Sequence, residues 1–121
     1  MAMFEINDKE YELKLTYKAI KHLNGLFDGG SYELIGKAMQ GDIESFPQIV
    51  HAGLFHTKEN ITLKAVDTRI EELIDNGELS QEGIAKISDE VVTQSFFFKA
   101  TVDKLMKNNP EMKTALEQLR G

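Results

Sequence analysis

Cysteine and tryptophan are absent from this 121-residue chain, and proline occurs only twice. Without thiols there are no disulfides, no thiol nucleophile and no cysteine-ligated zinc, a usage that suits a reducing compartment. No apolar run approaches the ~20 residues needed to cross a bilayer, and no basic stretch precedes an apolar one at the N-terminus, so neither a membrane span nor a secretory leader is expected. Positive charge is also scarce. Fourteen Lys and Arg face twenty Asp and Glu, a net charge of −6, which argues against general binding to a nucleic-acid backbone. What remains, 41% hydrophobic and 28% charged residues, is ordinary for a soluble globular chain of one domain, a size that buries roughly 65% of its unfolded surface.

The opening alternates with period two. Phe4 and Ile6 flank Glu5, and Tyr11, Leu13 and Leu15 are spaced by Glu12 and Lys14. Around Asn7-Asp8-Lys9 this reads as a β-hairpin with one apolar face, since Asn and Asp tolerate the left-handed backbone of a tight turn. A lone hairpin is marginal in water, so that face is expected to lie on helices. Met1-Ala2, ahead of Met3, are set aside as an addition outside the fold.

Beyond the hairpin the spacing becomes helical. Thr16 caps a helix carrying Ala19, Ile20, Leu23, Leu26 and Phe27, stopped by Asp28-Gly29-Gly30. Ser31 caps a shorter one that Gly41 ends. A third follows Ser45-Phe46-Pro47, and its near-continuous apolar residues, Ile49 to Phe55, mark it as the buried central helix. Thr62 caps Leu63 to Ile74, closed by Asn76-Gly77. One long helix is expected from Ser80 to about Lys107, with Ile84, Ile87, Val91, Phe98, Val102 and Leu105 as its core stripe and Val92 and Phe96 widening one flank. The fold class is thus mainly α with a short N-terminal β-hairpin, an α+β arrangement of about five helices packed on the hairpin. Residues 3–107 form a single globular helical domain and 108–121 a short C-terminal tail, either a weakly apolar terminal turn or mobile.

Chemical signatures are missing. Aligning Gly77 with the glycine of a calcium loop places Ile74 and Gly83 where oxygen ligands are required. His51 and His56 are five apart, about 140° from one another on a helix, and no HExxH is present. Nothing links His22, Asp28 and the serines as nucleophile, base and orienter, and there is no glycine-rich phosphate loop; Gly29-Gly30 terminates a helix. Accordingly no catalytic, cofactor-binding or metal-binding residue is assigned, no cofactor is expected, and the chain is read as a non-enzyme.

Two surface features remain. Between Asp67 and Glu90 eight acids face two bases, a local −6 equal to the whole excess, whereas five bases face three acids from Lys99 onward. The segment 67–90 is read as a solvated acidic helix face, with steering toward a basic partner as the functional alternative. In Phe96-Phe97-Phe98, three consecutive aromatics span roughly 200° of a helix, too much for one stripe, and Phe97 falls furthest from it. Helices packed on two sides would absorb the surplus; otherwise it anchors another chain. Phe96, Phe97 and Lys104 are the candidate partner-binding residues.

The run Phe4-Glu5-Ile6-Asn7-Asp8-Lys9-Glu10-Tyr11-Glu12-Leu13, followed at once by Tyr17-Lys18-Ala19-Ile20-Lys21-His22-Leu23-Asn24, resembles the tail assembly chaperones of siphophages and prophages of low-GC Gram-positive bacteria. Gly41-Asp42, the apolar segment Ile49 to His56 and the Thr62-Leu63 helix start are similar to that family in order and spacing, over about residues 3–107. The family usually has Asn-Gly at the hairpin turn, from which Asn7-Asp8 departs. The resemblance implies a non-enzymatic virion-assembly factor of the host cytoplasm. Such factors coat the tape-measure protein, help recruit tail-tube subunits and self-associate; the composition, separately, leads us to expect no nucleic-acid or membrane partner. The resemblance further implies that a programmed frameshift appends a second domain to a minority of copies, linking them to tube protein, and Lys107-Asn108 is compatible with a slippery run. The alternative is a small acidic phage regulatory or inhibitor protein that binds a host protein through residues 67–90.

Overall fold

Strands β1 (Met3–Ile6) and β2 (Lys9–Glu12) pair antiparallel, Phe4 opposite Tyr11 and Ile6 opposite Lys9. At the turn Asn7 and Asp8 both take positive φ, 56° and 61°, the two-residue geometry whose twist suits paired strands. Phe4, Ile6 and Leu13 are buried on one face, as the alternation requires. The core also extends one step earlier than expected. In this computed structural model, which describes residues 1–121, Ala2 is 5% exposed and its carbonyl accepts the Leu13 N–H at 2.8 Å. Ala2 therefore continues the hairpin.

Seven α-helices follow: α1 (Tyr17–Leu26), α2 (Gly30–Gln40), α3 (Phe46–Gly53), α4 (Leu63–Asp75), α5 (Gln81–Ser88), α6 (Phe96–Asn108) and α7 (Pro110–Arg120). A short 3₁₀ turn, Phe55–Thr57, follows α3. The mainly α class with an N-terminal hairpin is as the periodicity implies. Three expected caps form: the hydroxyls of Thr16, Thr62 and Ser80 accept the N–H groups of Ala19, Ala65 and Gly83 at 3.3, 3.0 and 3.1 Å. Ser31 does not cap. It lies inside α2 and donates to Asn24 Oδ1, while the Glu33 carboxylate takes the Gly29 N–H at 3.0 Å.

Helix α3 is the centre of the molecule. Phe46, Ile49, Val50 and Ala52 are all but inaccessible, and α3 packs against α1, α4 and α5. Its last carbonyl, on Gly53, accepts the Lys14 N–H at 3.0 Å, which seats the chain leaving the hairpin on the helix end.

The expected single helix from Ser80 to Lys107 is broken. Asp89–Thr93 form a π-helical turn, with the Gln94 N–H reaching the Asp89 carbonyl at 2.9 Å. Ser95 is extended, φ −65° and ψ 146°, and α6 starts afresh at Phe96. This widened turn and restart shift the helical phase. Ile84, Val91, Phe98 and Val102 still meet the core, but Phe96 is not on a buried flank: it is 98% exposed. The break and the final helix raise the count from about five helices to seven.

Residues beyond 108 are likewise more than a loose turn. Asn109 interrupts the helix with φ −137° and ψ 83°, Pro110 begins α7, and Leu116 is buried at 3% exposure. Helix α7 lies against α5 and α6.

Gly41 ends α2 with φ 63°, and an added Cβ would stand 2.9 Å from Ala85 Cβ and 3.1 Å from Ala85 Cα. Both the left-handed backbone and the close α2–α5 approach exclude a side chain here. Gly41→Ala is expected to cost about 2–3 kcal/mol in urea unfolding, through strain and displacement of α5.

Candidate partner-binding surface

The break before α6 creates the most conspicuous apolar feature of the exterior. Phe98 is buried at 2% exposure and roots the helix, Phe97 stacks edge-on against it with ring centroids 5.1 Å apart, and Phe96 and Phe97 are 98% and 60% exposed. Lys104 is exposed and enters none of the ion pairs. Seven residues apart on one helix, Phe97 and Lys104 share a face about 10 Å apart along the axis, whereas Phe96 lies about 80° from Lys104. The structure thus brings Phe97 and Lys104 onto one stripe of α6, with Phe96 at its rim. Two aromatic rings with few neighbours and a free ammonium two turns away suit docking of an apolar helix bearing acidic groups.

The acidic segment separates into two parts. Glu72, Glu82 and Glu90 lie near Arg69, Lys86 and the N-terminal ammonium. Asp67, Glu71 and Asp75 remain exposed at spacings of four on α4, with Glu78 just beyond it, so the solvated acidic face is chiefly that of α4. Asp89 is not part of it. It is 1% exposed, and Arg120 clamps it, Nε and Nη2 each 2.9 Å from a carboxylate oxygen. The Thr93 hydroxyl also bonds this carboxylate, and Gln94 Nε2 donates to it at 2.7 Å. Burial by itself raises the Asp89 pKa, but the bonds from Arg120, Thr93 and Gln94, with the guanidinium charge, outweigh it and hold the carboxyl below its ordinary value. Sequence reasoning missed this pair. No local pattern signals it, since Asp89 sits in Ile87-Ser88-Asp89-Glu90-Val91-Val92 beside a second acid and its cation lies 31 positions away.

The histidines do not assemble chemistry. His22, His51 and Phe55 meet edge to face, with centroids 5.1 to 6.4 Å apart. His56 bonds the Glu12 carbonyl at 2.6 Å and ties the 3₁₀ turn to the hairpin. Burial lowers the His51 pKa, opposed by the Ile61 backbone. No three His, Asp or Glu side chains group as ligands for a metal ion, and Gly77, φ 74°, ends α4.

The family model of phage tail assembly chaperone proteins matches residues 3–107, from the hairpin to the end of α6. This chain belongs to that family. No curated protein and no solved structure matches it significantly. The matched span contains the Phe96–Phe97 surface and Asp89, while α7, which supplies Arg120, lies beyond the match. No helix is long and apolar enough to cross a membrane.

Because the Asp89 pKa is depressed in the folded chain, the stability that it contributes is present above its ordinary value of 3.8 and is lost as pH falls through the lower folded value. Asp89→Asn should cost about 2 kcal/mol at pH 7, less than a fully buried pair because Arg120 can turn to water. Urea titrations of both proteins at pH 7 and pH 3 are expected to show the gap closing in acid.

Proposed function

We propose that this chain is a non-enzymatic tail assembly chaperone of siphophages or prophages of low-GC Gram-positive bacteria, acting in the host cytoplasm. It binds the tape-measure protein, helps recruit tail-tube subunits and self-associates. The observation that carries the reading is the aromatic pair Phe96 and Phe97, standing in solvent at the start of a helix rooted by Phe98 in a domain of the chaperone family. A helical, aggregation-prone client is held by apolar anchors, and repulsion among the α4 carboxylates opposes uncontrolled clustering. Lys104 supplies a cation for acidic groups on the client. Contact with tube protein runs through a longer frameshifted product, which a nucleotide reading through the stop codon would reveal as an overlapping frame.

The client contact is tested by co-expressing this chain with the tape-measure protein encoded beside it. Phe97→Asp should weaken the complex about thirty-fold, the effect of losing an anchor worth ~2 kcal/mol, with an unchanged circular dichroism spectrum. Undiminished recovery of the complex from a folded variant would retire the assignment.

A further inference from the structure

Helix α7 is an unusual component of the core. Of the 22 residues in the buried cluster, α7 contributes Leu116 alone. Met112 and Leu119 are half-buried beside it, and Arg120 completes the contact on Asp89. These four side chains, at i, i+4, i+7 and i+8, form one face of a helix lying in a groove. The groove lies within the span that the family model matches, and the helix filling it lies beyond that span. Only Asn109 separates α7 from α6, and its Nδ2 caps the end of α6 by donating to the Leu105 carbonyl at 2.8 Å.

We propose that α7 is exchanged between copies of this chain: the hinge at Asn109 opens, and α7 of one copy seats in the groove of another, its Arg120 on that copy's Asp89. The occupant follows from complementarity. A carboxylate 1% exposed requires a cation at that depth, and α7 presents one at the correct distance from its leucine anchors. Exchange keeps every α7 contact and changes only which chain supplies it, so its cost is chiefly the freedom lost on association. Opening leaves the other 21 residues of the cluster in place. The proposal deepens the self-association within the reading above and rests on it, giving that association a defined seat distinct from the Phe96–Phe97 surface.

Reversal of charge tests the exchange. Asp89→Arg and Arg120→Asp each place like charges at the closed junction. Mixed in equal amounts, the two full-length variants offer matched pairs only across chains. The arginine introduced in the first meets the aspartate introduced in the second, and the unaltered Asp89 of the second meets the unaltered Arg120 of the first. Native mass spectrometry should show a 1:1 heterodimer in the mixture and its loss in either variant alone. Folded variants that stay separate on mixing overturn the proposal. Should Asp89→Arg not fold, the chain lacking Asn108 and Asn109 decides, since its α7 cannot turn back. A dimer abolished by Arg120→Ala and retained with Phe97→Asp supports exchange. A folded monomer, or a dimer lost with Phe97→Asp and kept with Arg120→Ala, overturns it, the latter while leaving self-association itself intact.

Discussion

A carboxylate in a protein interior must be answered by a cation and by hydrogen-bond donors, and the second half of this chain is arranged around one such group. Asp89 takes Thr93 and Gln94 from its own turn and Arg120 from the far end of the sequence. Satisfying it locally accompanies the π-helical turn at Asp89–Thr93; satisfying it at a distance pins α7. The restarted α6 then carries Phe98 into the core and leaves Phe96 and Phe97 outside. One buried charge therefore links a backbone irregularity, the docking of the last helix and the orientation of the exposed aromatics.

The first half follows simpler rules. An apolar α3 gathers the other helices, and the hairpin closes over its end through Leu13 and the Lys14–Gly53 backbone bond. No π-turn interrupts a helix there, and its two exposed aromatics, Tyr17 and Tyr32, stand on separate helices. Stability and surface are thus divided along the chain. The matched span carries both, whereas α7, outside the match, carries the cation that neutralises its buried acid.

Much of this was legible because the relevant chemistry is local. Asn7-Asp8 form the turn, Thr16, Thr62 and Ser80 cap their helices, and the apolar run after Pro47 is the central helix, each for reasons contained within a few residues. That three successive aromatics exceed what one stripe can bury was legible too, but whether a second packed side absorbs the surplus was not. What was hidden depends on distant partners. Residues 88–95 are compatible with a continuous helix, and their break belongs to a network that closes only when Arg120, 31 positions away, arrives. For that reason Phe96 stands in solvent and not on the flank beside Val92, since a phase carried over from Val92 does not survive the restart. Helix α7 reads as a weak tail because a single leucine and an arginine, not a broad stripe, secure it. Ala2 enters the core through a backbone bond that no hydropathy pattern signals.

The two ends of the polypeptide finish side by side. The Met1 ammonium lies 3.5 Å from Glu90 while Arg120 grips the neighbouring Asp89, and Met1, Leu119 and Arg120 line one shared hollow. Extensions at the start and at the finish would therefore emerge from a common port and compete for the same space. The chain is topologically almost a ring. Joining its ends with a short bridge and reopening it at the Asn7-Asp8 bend would give a permuted molecule with the helical order unchanged, in which the closing clamp lies within the sequence instead of at its boundary.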